Sequence, residues 1–194
     1  MQIALSPSLP VKRPVSNSVL GMIFLLATEA MFFAGLISAY VVNRSGAMAW
    51  PPPGQPRLPI EVTAANTVIL VLSAVALLLF RKNYFRTGSR SLLRVAMLLG
   101  AVFIVVQGVE WVRLIGFGLT TRSSLFGSFF YTIIGIHAAH AVAGLMILVY
   151  LVLLLRNSLP GEDAKNKITT CSMYWIFVVA IWPLLYSLVY LNLI

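Results

Sequence analysis

The stretch Leu20-Gly21-Met22-Ile23-Phe24-Leu25-Leu26-Ala27-Thr28-Glu29-Ala30-Met31-Phe32-Phe33-Ala34-Gly35-Leu36-Ile37-Ser38-Ala39-Tyr40 decides the class of this chain. With its flanks, Val19 to Val42, it is long enough to cross a bilayer, which takes about 20 mostly apolar residues. Near its middle stands Glu29, where an ionisable group costs roughly 2.5–3.5 kcal/mol on insertion scales. A carboxyl at that depth needs a partner, and the rest of the chain is read for one.

Composition agrees with the stretch. Of 194 residues, 60% are hydrophobic and 10% charged, where a soluble domain carries about 25% charged residues. A polytopic membrane protein follows, its helices held by mutual packing and buried polar contacts. Lys and Arg number 14 against 5 Asp and Glu. The basic residues lie in short segments between apolar spans, so orientation and anionic lipid account for them, and no nucleic-acid partner is expected. The single Cys171 excludes an internal disulfide and leaves no thiolate cluster for a metal. No signal peptide is expected, because the polar segment Met1 to Asn17 has no apolar core.

The expected fold is an all-α bundle of five transmembrane helices, at about 18–42, 62–80, 92–115, 125–155 and 173–193. Residues 1–17, with Pro7, Pro10, Pro14, Lys12 and Arg13, read as a flexible basic arm, and 18–194 as a single domain. The segment Trp50-Pro51-Pro52-Pro53-Gly54-Gln55-Pro56 cannot be helical, since each proline removes a donor and restricts its predecessor. The segment opened by Arg81-Lys82 and including Arg86, Arg90 and Arg94 reads as a basic loop, and Arg156 to Thr170 as a polar one. No internal repeat of the kind found in secondary transporters is visible. Five spans put the arm and these two loops on one side, with ten basic residues, against Arg44, Arg57, Arg113 and Arg122 on the other. The positive-inside rule then places the amino terminus in the cytoplasm and the carboxyl terminus outside.

Five polar residues at membrane depth need an account: Glu29, Gln107, Glu110, His137 and His140. Glu29, Phe33, Leu36 and Tyr40 follow i, i+4, i+7, i+11 and share a face, as do Phe103, Gln107, Glu110 and Leu114. His137, His140 and Gly144 are spaced i, i+3, i+7 beside Ala138 and Ala141, whose small size lets a neighbouring helix approach. The short connection makes the third and fourth spans antiparallel neighbours. An interhelical bond between Glu110 and one of the two histidines is therefore expected, with Gln107 as a further partner. Two histidines beside a carboxylate also suit a metal, but no third histidine exists and no metal site is expected. Glu29 reads either as a proton-pathway carboxyl or as a hydrogen-bonded structural acid. Trp50, Trp111, Trp175 and Trp182 read mostly as interfacial anchors. No haem-ligand pair, copper set or nucleotide loop is visible, so the chain reads as one subunit of something larger.

The order of motifs resembles a known family. Thr28-Glu29-Ala30-Met31-Phe32-Phe33-Ala34-Gly35 with Ala39-Tyr40 is similar to the Ser-Glu-x-Met-Phe-Phe-Ala-Gly segment of cytochrome c oxidase subunit III. Trp50-Pro51-Pro52-Pro53-Gly54, Leu58-Pro59, Asn66-Thr67 and Ser73 resemble that family's next loop and helix. Gln107-Gly108-Val109-Glu110-Trp111 resembles its Gln-x-x-Glu-aromatic stretch. Phe130-Tyr131 through Gly135, His137, His140 and Gly144 resemble its Gly-x-His-x-x-His helix, and Tyr174-Trp175-Ile176-Phe177, Trp182 and Tyr190-Leu191 its closing helix.

The resemblance implies a non-redox accessory subunit of a haem-copper cytochrome c oxidase in a prokaryotic inner membrane, serving aerobic respiration and the electron transport chain. Such a subunit stabilises catalytic subunit I, contacts other oxidase subunits, holds phospholipid and supports proton uptake during oxygen reduction. Haem and copper are expected in the partner subunits and none in this chain. Glu29, Gln107, Glu110, His137 and His140 would be structural or proton-related, and Phe33, Tyr40, Trp50 and Trp111 would contact lipid or a neighbouring subunit. A larger respiratory supercomplex is a further partner the resemblance allows. Subunit III of a quinol oxidase and an accessory protein of nitric oxide reductase share much of the pattern. An independent transporter or channel is the alternative of another class. Two departures stand out. Many relatives have seven helices, and the first two are missing here, so the second wall of the family's lipid cleft must come from another chain or be absent. The closing motif usually carries His and Asp where this sequence has Ile176 and Val179, which puts in doubt any role tied to those groups.

Overall fold

A computed structural model describes residues 16–157 and 161–192. Among them are five long helices, all apolar enough to cross a membrane, and no strand: α1 (Asn17–Ser45), α2 (Ile60–Thr87), α3 (Ser91–Gly116), α4 (Leu125–Leu154) and α5 (Gly161–Val189), with a 3₁₀ turn at Leu155–Asn157. Lys12, Arg13 and most of the expected arm lie outside the described residues, as does Pro160. The all-α, five-span architecture is as the composition requires.

Local chemistry sets the helix ends. Ser16 accepts a hydrogen bond from the Val19 amide, and Ser124 from the Gly127 amide, each filling a donor that an N-terminus leaves open. Gly88 closes α2 at φ 64°, a left-handed position that suits glycine, and its amide donates to the Tyr84 carbonyl. The proline run between α1 and α2 is non-helical, as its sequence demands.

Two expected boundaries are corrected. Arg81 to Arg86 belong to α2 and Lys165 to Thr170 to α5, so α2 continues about two turns beyond its apolar core and α5 begins about three turns before its own. In α2 the extension carries no buried residue, whereas in α5 a buried stripe continues beneath the polar residues. In α5 it comprises Ala164, Ile168, Cys171 and Trp175 at i, i+4, i+7, i+11.

In the packing, α2 and α3 form a hairpin, α5 lies against α2 and α4, and α3 also meets α4. On the outside of this group α1 touches α4 and α5, with most of its surface exposed. Polar stitches join the inner helices. Asn66 Nδ2 donates to the Phe103 carbonyl at 3.0 Å and Ser73 Oγ to the Ala96 carbonyl at 2.8 Å. Trp175 Nε1 donates to Ser73 Oγ at 2.9 Å, and Trp182 Nε1 to Thr67 Oγ1 at 2.8 Å. The expectation that Trp175 and Trp182 anchor at the interface is therefore overturned: both are fully buried, each indole N–H satisfied by a hydroxyl of α2.

Candidate functional site

Glu29 finds its partner inside the chain. Its Oε2 lies 2.9 Å from His140 Nε2, and this contact crosses from α1 to α4. The other ring nitrogen, Nδ1, lies 2.8 Å from the Ile136 carbonyl one turn back. A carbonyl only accepts, so Nδ1 carries a hydrogen and donates it. The Glu29–His140 contact then holds one proton, on the imidazole as an ion pair or on the carboxyl as a neutral pair. The pair is net neutral in both arrangements, which is how a carboxyl is tolerated at this depth. Phe33, one turn from Glu29, sets its ring edge-on to His140 at 5.3 Å and to His137 at 6.4 Å.

This arrangement corrects the expected Glu110–histidine bond. Neither histidine is an ion-pair partner of Glu110, whose Oε1 accepts instead from Arg113 Nη1 at 2.8 Å, three residues on in the same helix. Depth is the physical reason: Glu110 lies about 9 Å from the end of α3, whereas His137 lies about 18 Å into α4. Rotation is a second reason. His137 and His140 are about 60° apart around α4, so one faces the interior while the other faces α1.

Gln107 likewise bonds elsewhere than expected, its Nε2 donating to the Tyr190 hydroxyl at 3.0 Å. His137 is fully buried, its ring centroid 4.9 Å from that of Trp182, and neither of its nitrogens has a hydrogen-bond partner among the described residues. Gln107, Trp111 and His137 line one cavity of roughly 180 Å³ between α3 and α4, with Phe103, Ile134 and Trp182. Glu110 lies apart from it, lining a second pocket with Arg57 and Arg113.

Of the residues expected to meet lipid or another subunit, Phe33 and Tyr40 turn inward and are each 1% exposed. Tyr40 donates its hydroxyl hydrogen to the Leu188 carbonyl at 3.4 Å and accepts from Trp50 Nε1 at 2.9 Å. Trp50 is packed edge-on against Tyr40 and Phe126, and Trp111 against Tyr131. Arg44 Nη2 adds a bond to the Asn192 carbonyl at 2.9 Å. These contacts fix the carboxyl-terminal end of α1 to α5, and the Glu29–His140 pair fixes its middle to α4.

Sequence reasoning missed Arg113, Tyr190, Thr67 and Ser73 as partners. Arg113 was legible as an i+3 neighbour of Glu110. Ser73 sits in the stripe Asn66, Leu70, Ser73, Leu77, Phe80, where a polar residue on a buried face announces a bond. Because the Glu110 partner is an Arg113 side chain 63% exposed, Glu110→Ala is expected to cost no more than about 1 kcal/mol, measured by thermal unfolding in detergent.

His140 is held by Glu29 and the Ile136 carbonyl, while His137 stacks against Trp182 at the edge of the cavity. Among the described residues no three His, Cys, Asp or Glu side chains come together.

Known proteins are similar to this sequence over most of its length. The pattern of the family described as cytochrome c oxidase subunit III matches residues 12–192. The cytochrome c oxidase subunit 3 of Corynebacterium diphtheriae is 34% identical over 188 residues, covering 93% of this chain and 90% of the relative. That of Synechocystis is 32% identical over 177 residues, 88% of this chain and 74% of the relative. The cytochrome bo(3) ubiquinol oxidase subunit 3 of Pseudomonas putida is 29% identical over 177 residues, 90% of this chain and 85% of the relative. With its five apolar helices, this multi-pass membrane chain belongs to the cytochrome c oxidase subunit III family.

Proposed function

We propose that the chain is a non-redox accessory subunit of a haem-copper oxidase in a bacterial inner membrane, its amino terminus cytoplasmic. It packs on the catalytic subunit, holds phospholipid and supports proton uptake during oxygen reduction. The redox centres belong to partner chains. One observation carries this reading: the Glu29–His140 pair, in which the carboxyl and imidazole serve each other across two helices. Its residues position α1 and hold one proton at membrane depth. The exposed outer surface of α1, with Phe24, Met31 and Phe32, supplies area for a neighbouring transmembrane chain.

The test is to purify the oxidase from cells with and without this chain. The depleted complex is expected to keep its haem spectrum and initial oxygen consumption but to inactivate in fewer turnovers. A depleted complex lacking haem absorbance would place a redox role here and refute the proposal.

A further inference from the structure

At one end of the bundle α2 and α5 enclose a groove of roughly 450 Å³. Arg81 and Lys82 of α2 and Lys165 of α5 line it, with Leu78, Phe85 and Ile168 as its apolar part. On α2 the four residues 78, 81, 82 and 85 follow i, i+3, i+4, i+7 and form one strip. No carboxylate lines the groove. The ion pairs among the described residues are Glu110–Arg113 and Glu29–His140, so none of these three cations is neutralised by a described acidic side chain. Glu162 and Asp163, in the first turn of α5, are exposed and form no part of the lining.

The place of these residues along the helices identifies the occupant. Arg81 and Lys82 directly follow the apolar run that ends at Phe80, and Lys165 precedes the apolar core of α5, so the cations lie at a boundary between bilayer and water. Leu78 lies one turn deeper and is 47% exposed, inside the hydrocarbon. We infer that this groove is a binding site for an anionic phospholipid, its phosphate among Arg81, Lys82 and Lys165 and its acyl chain against Leu78. A free phosphate gains nothing from the apolar strip. An extended acidic peptide would place unpaired backbone groups at hydrocarbon depth, where they are not tolerated. The inference rests on the lipid-holding part of the proposed function and assigns it to named residues.

The experiment uses the assembly brought down by the tagged full chain in neutral detergent, delipidated and titrated with phosphatidylglycerol or phosphatidylcholine, with bound lipid counted by native mass spectrometry. Each cation near a lipid surface contributes about fivefold in affinity. The triple variant Arg81→Gln, Lys82→Gln, Lys165→Gln is therefore expected to lose at least about tenfold in phosphatidylglycerol affinity with phosphatidylcholine unchanged. The charge-keeping Arg81→Lys, Lys82→Arg, Lys165→Arg is expected to bind as the parent does. Equal phosphatidylglycerol affinity in the Gln variant overturns the site. So does displacement by inorganic phosphate at equal concentration, which marks an ion site, or a protein segment of a partner chain seated in the groove. Haem absorbance of the same preparation is read separately: its absence counts against the subunit reading and leaves the lipid result standing.

Discussion

Replacing Trp175 by alanine is expected to destabilise the bundle by about 3–5 kcal/mol, the range for deleting a fully buried large aromatic. Its ring lies between two glycines. A Cβ on Gly100 of α3 would fall 2.6 Å from it, and one on Gly144 of α4 2.7 Å from it, both closer than carbon atoms approach. Its indole N–H meets Ser73 of α2, whose own hydroxyl donates to the Ala96 carbonyl of α3. One side chain of α5 therefore sets the spacing of three other helices. Filling the slot from the other side has a related result: Gly144→Ala is expected to cost about 1–3 kcal/mol through overpacking. Thermal or denaturant unfolding of the purified protein in micelles measures both. A loss under about 1 kcal/mol for Trp175→Ala would show that the ring is not the spacer.

Glu29→Ala is the second large effect. The substitution leaves His140 Nε2 without its partner at membrane depth, and a cost of about 1–2 kcal/mol follows. It falls on the helix with the least buried surface, so α1 is expected to loosen first, seen as faster hydrogen exchange along its backbone. Haem content and initial turnover of the oxidase are expected to stay near the parent's, while activity declines sooner during sustained turnover. Glu29→Gln separates packing from proton chemistry, because an amide N–H can donate to the neutral imidazole nitrogen and keep the link. Rescue of both stability and durability by Gln assigns Glu29 to holding α1. Rescue of stability alone assigns it to proton uptake as well.

Much of this was legible from the residues. Five apolar runs fixed the number of helices, and the shared faces of Phe103, Gln107, Glu110 and Leu114 and of Phe33 and Tyr40 are the faces that are buried. The extension of α5 was hidden because Glu162, Asp163, Lys165 and Lys167 look like a loop to an eye tuned for apolar runs. The Ala164–Ile168–Cys171 stripe carried the helical signal beneath them. Pairing was the harder matter. Glu29 and His140 each stood out as a costly group, but they are 111 residues apart, and connectivity alone does not say that α1 lies against α4. The short α3–α4 connection drew Glu110 toward the histidines instead. Tertiary adjacency of non-sequential helices rests on the summed packing of all five, which no single motif encodes.

The most direct test of the central claim is co-purification through a tag on this chain. Membranes are extracted in mild detergent, the tagged chain is captured, and the visible spectrum of the eluate is recorded with its subunit content. The account predicts reduced-haem absorbance together with a catalytic oxidase subunit in constant proportion to the tagged chain. A folded chain that elutes alone, without haem absorbance, would contradict it.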